Sequence, residues 1–190
     1  MINMVRAISD KNLLNKFVSD FLKIVDKNKI RYAIVSGFVV ISHGRARGTE
    51  DIDIIIEKIS LESFNKFHQD LIASGFECLQ GQSPEMLFND YLGEFISIRY
   101  VIKGDFVPEM ELKMSKDALD EKQLMERTKL SLTRLPFYFS TIETNIAFKE
   151  ELLKSEKDIE DARHLRIIYS KELNEPKIDE IKALIRKFRL

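Results

Sequence analysis

Val35-Ser-Gly-Phe-Val-Val-Ile-Ser-His-Gly-Arg-Ala-Arg-Gly-Thr-Glu-Asp-Ile-Asp-Ile54 is the stretch on which the fold turns. Tyr32 to Val35 reads as a buried strand that ends at Ser36-Gly37. Phe38 to His43 then has helical spacing and closes at Gly44, and residues 45 to 50 form a polar loop. Asp51-Ile-Asp-Ile-Ile-Ile56 reads as a second strand. Side chains alternate along a strand, so Asp51 and Asp53 project to one face. Two carboxylates so close repel each other and call for a cation, and an all-oxygen set suits Mg²⁺ or Mn²⁺. Upstream, a strand running directly into a helix leaves free backbone N–H groups at one spot, where a phosphate can dock. A phosphate cradle beside a carboxylate pair is the equipment of metal-assisted phosphoryl or nucleotidyl transfer.

Working outward, the spacing predicts a first helix capped at Ser9, with Leu14, Phe17, Val18, Phe21, Leu22 and Val25 on its apolar side. A helix capped by Ser60 presents Leu61, Phe64, Phe67 and Leu71 and stops at Gly75. Phe76 to Leu79 and Glu94 to Ile102 read as strands, and residues 84 to 92 as ambiguous. Glu109 to Met114 alternates cleanly, with Met110, Leu112 and Met114 on one face and Glu109, Glu111 and Lys113 on the other. Leu130 to Phe139 offers a further strand or two. From Ser140 the pattern is helical, with Ser140-Thr-Ile-Glu143 as a capping box and helices near 142–154, 156–170 and 177–189. The expected fold is α+β: an α/β core over 1–140 with an N-terminal helix, and a helical subdomain over 141–190 packed on it.

The 190 residues are 44% hydrophobic and 32% charged, as in a soluble globular domain. Thirty basic side chains against 31 acidic ones leave no global field that would draw a nucleic acid, so any polyanion must be gripped locally. One cysteine excludes an internal disulfide and argues against a Cys-based metal site. No apolar run approaches the ~18 residues of a membrane span, and Asp10, Lys11, Lys16 and Asp20 interrupt the N-terminal region. A cytoplasmic protein without a membrane partner is expected. The sequence fixes no oligomeric state.

The segment over 35–54 resembles the signature of the DNA polymerase β-like nucleotidyltransferases: a glycine-containing pair at a strand end, a short helix, then Asp-x-Asp on the next strand. Arg47-Gly-Thr-Glu-Asp-Ile-Asp53 is similar to the Arg-x-Thr-x-Asp-hydrophobic-Asp form of small prokaryotic members. The resemblance implies a nucleoside triphosphate substrate, Mg²⁺ or Mn²⁺ on Asp51 and Asp53, and nucleotide or phosphate contacts from Ser36, Gly37, Arg47 and Thr49. The pair reads Ser-Gly in place of the family's Gly-Ser, which makes Gly37 the firmer carry-over. A third carboxylate is implied on a neighbouring strand. Glu111 is the choice because it lies mid-strand, with Glu109 as the alternative, although the family usually has Asp there. Lys149 and the Lys157-Asp158-Ile-Glu-Asp161 run resemble the helical segment of toxin-type nucleotidyltransferases from abortive-infection and type IV toxin–antitoxin systems, without that family's intervening arginine. There Lys149 would reach the nucleotide phosphates.

Plainer readings stand beside these. Arg45 and Arg47 can simply decorate a loop, Lys149 can be a solvated lysine, and Asp158 and Asp161 can serve only as ion-pair partners. His43, His68 and His164 fit packing roles better than a metal site. The basic face of 177–189 fits a packed amphipathic helix better than an RNA-binding arm. With net charge −1 and Glu150, Glu151, Glu156, Asp158, Glu160 and Asp161 in the middle helices, a protein or small-molecule acceptor is favoured over tRNA.

Overall fold

The computed structural model describes residues 2–46 and 48–190, with side chains from residue 13 onward. The elements run α1 (Ile2–Lys27), β1 (Tyr32–Val35), α2 (Gly37–Ser42), β2 (Asp51–Ile56), α3 (Leu61–Ala73), β3 (Phe76–Cys78) and α4 (Pro84–Met86). A π-helical segment (Leu87–Leu92) follows, then β4 (Ile98–Ile102), β5 (Glu109–Met114) and α5 (Ala118–Met125). The chain ends in α6 (Ile142–Phe148), a second π segment (Lys149–Leu153), α7 (Glu156–Ile168) and α8 (Glu175–Arg189).

Five strands form one mixed sheet in the order β1-β2-β5-β4-β3. Only the β2–β5 pair is parallel. Its register sets Asp51 opposite Glu109, Asp53 opposite Glu111 and Ile55 opposite Lys113. Alternation then sorts the faces. Ile52, Ile54, Ile56, Met110, Leu112 and Tyr100 are buried against α1 and α3, where the Phe21 ring lies 6.0 Å from Phe67, 5.4 Å from Phe76 and 5.7 Å from Tyr100. The opposite face carries the carboxylates, with a small apolar patch of Ala33, Ile55 and Leu124 beside them. Among the described residues no helix is long and apolar enough to cross a membrane.

Several elements depart from the sequence expectation. The first helix begins at Ile2, so position 9 is interior; the Ser9 side chain lies outside the described residues. The strand expected from Glu94 begins only at Ile98, because Phe95 turns the chain with φ 59°. Residues 130 to 139 contribute a 3₁₀ turn and isolated bridges from Phe139 to Ile34 and Thr128, not a strand. Thr141, not Ser140, caps α6 by accepting from the Thr144 N–H. Pro176 sits in the first turn of α8, where its missing N–H costs nothing, so the helix starts before it. The helix α5, capped by Asp117, has no counterpart in the sequence reading.

Candidate active site

The β1–α2 turn is the first component. Ser36 has φ 62° and ψ −132°, a conformation that side chains other than glycine rarely adopt. Gly37 behind it is buried and already helical. The Ser36 hydroxyl makes no capping bond to the helix, so it is available to the clefts it lines.

The carboxylate face is the second component. Asp51 is exposed and Asp53 half-buried. Thr49 Oγ1 donates to Asp51 Oδ1 at 2.8 Å and its carbonyl at 2.9 Å, which orients that carboxylate. Asp53 and Glu111 share a cation from the protein itself: Lys113 Nζ lies 3.0 Å from Asp53 Oδ1 and 3.1 Å from Glu111 Oε1. Arg99 adds contacts of 3.3 Å to Glu109 and 3.4 Å to Glu111. Burial pushes the Glu111 carboxyl up, but the Lys113 ammonium and Arg99 more than offset it and leave it below its ordinary value. Burial likewise pulls the Lys113 ammonium down, and the Asp53 and Glu111 charges return it above its ordinary value.

These donors are of the chemical type that a hard divalent cation takes. They are all carboxylate oxygens, and a stand-in ammonium already bridges two of them. Among the described residues no set of three or more ligating side chains converges on one point, histidines included. His43 Nε2 lies 2.6 Å from the Tyr169 hydroxyl and His68 Nδ1 lies 2.8 Å from that of Tyr100.

Two clefts meet at Ser36, Asp53 and Leu153. One is a polar groove of about 270 Å³ that Gly37, Thr49, Asp51, Ser155 and Lys157 also line. The other, about 330 Å³, has walls from Val35, Ile55, Phe95, Met114, Phe148 and Leu152. Its polar lining includes Lys113, Lys116, Asp120, Gln123, Asn145 and Arg189.

Of the residues singled out from sequence, Ser36, Gly37, Thr49, Asp51 and Asp53 gather at the groove. Glu111 stands beside them through strand register. Arg47 lies outside the described residues. Lys149 is placed differently from a phosphate-reaching side chain. It is 1% exposed and its Nζ donates to Asp158 at 3.1 Å and Asp161 at 2.8 Å. Asp161 also binds Arg45 Nε at 3.0 Å. The exposed Lys157 is instead the lysine at the groove, with no carboxylate partner among the described residues. Lys157 stands in the Lys-Asp-x-x-Asp run read from the sequence without a phosphate role, and Lys113 and Arg99 are given no site role there. The alternation of Glu109, Glu111 and Lys113 was the available signal for Lys113.

The mixed sheet flanked by helices is the polymerase β-like nucleotidyltransferase fold. The antibiotic-resistance factor ANT(2'')-Ia is similar in its solution structure, at 14% identity and TM-score 0.56, over 93% of this chain and 92% of that one. Its crystal structure with adenylyl-2''-tobramycin is similar at 14% identity and TM-score 0.56, over 92% and 98%. An antigenic nucleotidyltransferase-like protein from Paracoccidioides brasiliensis is similar at 19% identity and TM-score 0.53, over 92% and 88%. At such identities the likeness establishes the fold. No family model and no curated protein matches the sequence.

Proposed function

We propose that this chain is a Mg²⁺- or Mn²⁺-dependent nucleotidyltransferase that moves a nucleoside monophosphate from a nucleoside triphosphate to an acceptor hydroxyl. The observation that carries this reading is a groove that Asp51 and Asp53 line together with the Ser36-Gly37 turn, with Glu111 opposite Asp53 in the β2–β5 register. Asp51, Asp53 and Glu111 would hold the metal, which when bound neutralises phosphate charge and polarises the phosphorus. The Gly37 amide and the Lys157 ammonium bind the phosphates in the groove. Thr49 keeps the Asp51 carboxylate aimed. In this reading Glu111 would assist in taking the proton of the acceptor hydroxyl as that oxygen bonds to the α-phosphorus and pyrophosphate leaves.

The larger cleft supports a small-molecule acceptor, or a side chain inserted from a protein, over tRNA. It has the volume of a small-molecule site, on the scale of ~300–1,000 Å³. Its charged lining is Asp53 and Asp120 with Lys113, Lys116, Lys149 and Arg189, and Lys113, Lys149 and Arg189 are each paired with carboxylates. Kinship with the toxin-type enzymes rests on the sequence pattern of Lys149 and Lys157-Asp158-Ile-Glu-Asp161 alone.

A second reading, a catalytically idle binding or antitoxin-like module, draws on one observation: an ammonium bridges Asp53 and Glu111. One experiment separates the two. Incubating cell extract and protein with each α-labelled triphosphate is expected to transfer label, and Asp53→Asn to abolish it. Digestion with ribonuclease or protease then sorts the acceptor. A folded protein that neither binds nor transfers any of the four nucleotides would leave only the idle reading.

A further inference from the structure

We infer that Lys113 is an internal counter-ion that occupies the carboxylate pair until a metal-bound triphosphate displaces it, so that the protein discriminates against the bare divalent ion. This rests on the nucleotidyltransferase reading above. Asp51, Asp53, Glu109 and Glu111 crowd one end of two parallel strands. Four like charges so close are unstable without cations. Among the described residues Lys113 and Arg99 supply them, and they are not equivalent. Arg99 reaches Glu109 and Glu111 from β4 at 3.3 and 3.4 Å. Among the described residues Lys113 is the cation that bridges the two strands, at 3.0 Å to Asp53 and 3.1 Å to Glu111, the carboxylates proposed to hold the metal.

A bare divalent ion must therefore evict an ammonium and leave it facing the incoming cation. A metal carried on a triphosphate meets a different situation. Lys113 forms part of the wall of the larger cleft, which shares Ser36 and Asp53 with the polar groove. The released ammonium has a flexible stem with freely rotating donors, and the phosphate oxygens offer it new partners. Nucleotide and metal then bind as one unit, and the free ion binds poorly.

The test is direct metal binding. Mn²⁺ alone is titrated into wild-type protein, Lys113→Gln, Lys113→Met and Lys113→Arg, with bound ion read from loss of the free-ion paramagnetic resonance signal. Preformed Mn²⁺–tripolyphosphate is titrated in parallel by calorimetry. The two neutral variants are expected to bind Mn²⁺ alone about tenfold tighter or more, since one nearby positive charge is removed. Lys113→Arg is expected to stay weak, and Mn²⁺–tripolyphosphate to bind wild type more tightly than Mn²⁺ alone. Circular dichroism confirms folding, and the Gln variant serves where Met does not fold. Equal Mn²⁺ affinity in wild type and folded Lys113→Gln would overturn the counter-ion role and leave the nucleotidyltransferase reading standing. Absence of binding by every protein to both probes would overturn that reading as well.

Discussion

Ser36 takes a backbone conformation suited to glycine at the turn where a triphosphate would dock. A residue held in such a region costs of order 1–3 kcal/mol. Ser36→Gly removes that strain and gives back part of it as unfolded-chain entropy, about 0.4–1 kcal/mol. The expected outcome is a net gain of about 1 kcal/mol, read as a higher urea midpoint at unchanged slope; a lower midpoint would contradict the strain. Ser36→Ala keeps the strain and removes only the hydroxyl, so a loss of transfer activity there, at unchanged stability, assigns the hydroxyl a part in binding. Asp51 and Asp53 differ in the same way. Asp51 is exposed and accepts from Thr49, whereas Asp53 is paired with Lys113. Asn at either position is expected to abolish metal-dependent transfer while shifting stability by less than about 1 kcal/mol, the range of partly exposed pairs. Outright unfolding of either variant would make the pair structural.

At the scale of elements, the α6–α7 junction is held by charge. The second π segment begins at Lys149, whose ammonium is buried between Asp158 and Asp161 of α7. Truncating one member of a buried pair costs up to about 3–5 kcal/mol, and less here because Asp161 keeps Arg45 at 3.0 Å. Lys149→Met is therefore expected to lower the denaturation midpoint sharply, with Asp161→Asn in the same background recovering part of the loss; a variant with wild-type stability and weaker nucleotide binding would restore the lysine to the phosphates. This is also where sequence reading stopped short. Spacing showed that Asp158 and Asp161 share a face, but not whether Lys149 turns toward them or toward a ligand, since that depends on how α6 and α7 cross. Strand periodicity was more informative. Asp51–Ile56 and Glu109–Met114 were legible residue by residue, and so was the common face of Glu109, Glu111 and Lys113. What periodicity cannot give is the partner strand: Asp53 meets Glu111 only because β2 and β5, 58 positions apart between those two residues, run parallel in that register. Helix α5 escaped because residues 118–125 carry little amphipathic pattern and pack chiefly through Leu119 and Leu124.

For the whole molecule, the question is how the last 50 residues are joined to the rest. We propose that 141–190 forms a helical subdomain on an α/β core, and that the two melt together. One continuous cluster of buried side chains runs from Phe17 through Ile54 and Leu112 to Ile146, Leu165 and Ile185. Around its rim, α8 is tied down by ion pairs: Arg189 to Asp117 at 2.7 Å, Lys177 to Glu126 at 2.9 Å and Lys182 to Glu150 at 2.7 Å. Burial pushes each of these carboxyls up, and the bonds to their cationic partners pull all three below their ordinary values. A carboxylate lowered by folding contributes stability that is complete above its unfolded value and lost as pH falls through its folded one. Those ordinary values are 3.8 for Asp117 and 4.5 for the two glutamates, so the window lies below about pH 4.5. Urea unfolding followed by circular dichroism is therefore expected to show a midpoint nearly flat from pH 7 to about 5 and falling steeply beneath it, in a single transition. A Lys177→Met, Lys182→Met variant is expected to start lower at pH 7, by about 1 kcal/mol or less per pair. It should lose less on acidification, because its unfolded and folded states differ less in bound protons. Parallel acid profiles for wild type and variant would mean that these pairs are ornamental, and two separate transitions would mean that the helical tail and the sheet fold independently.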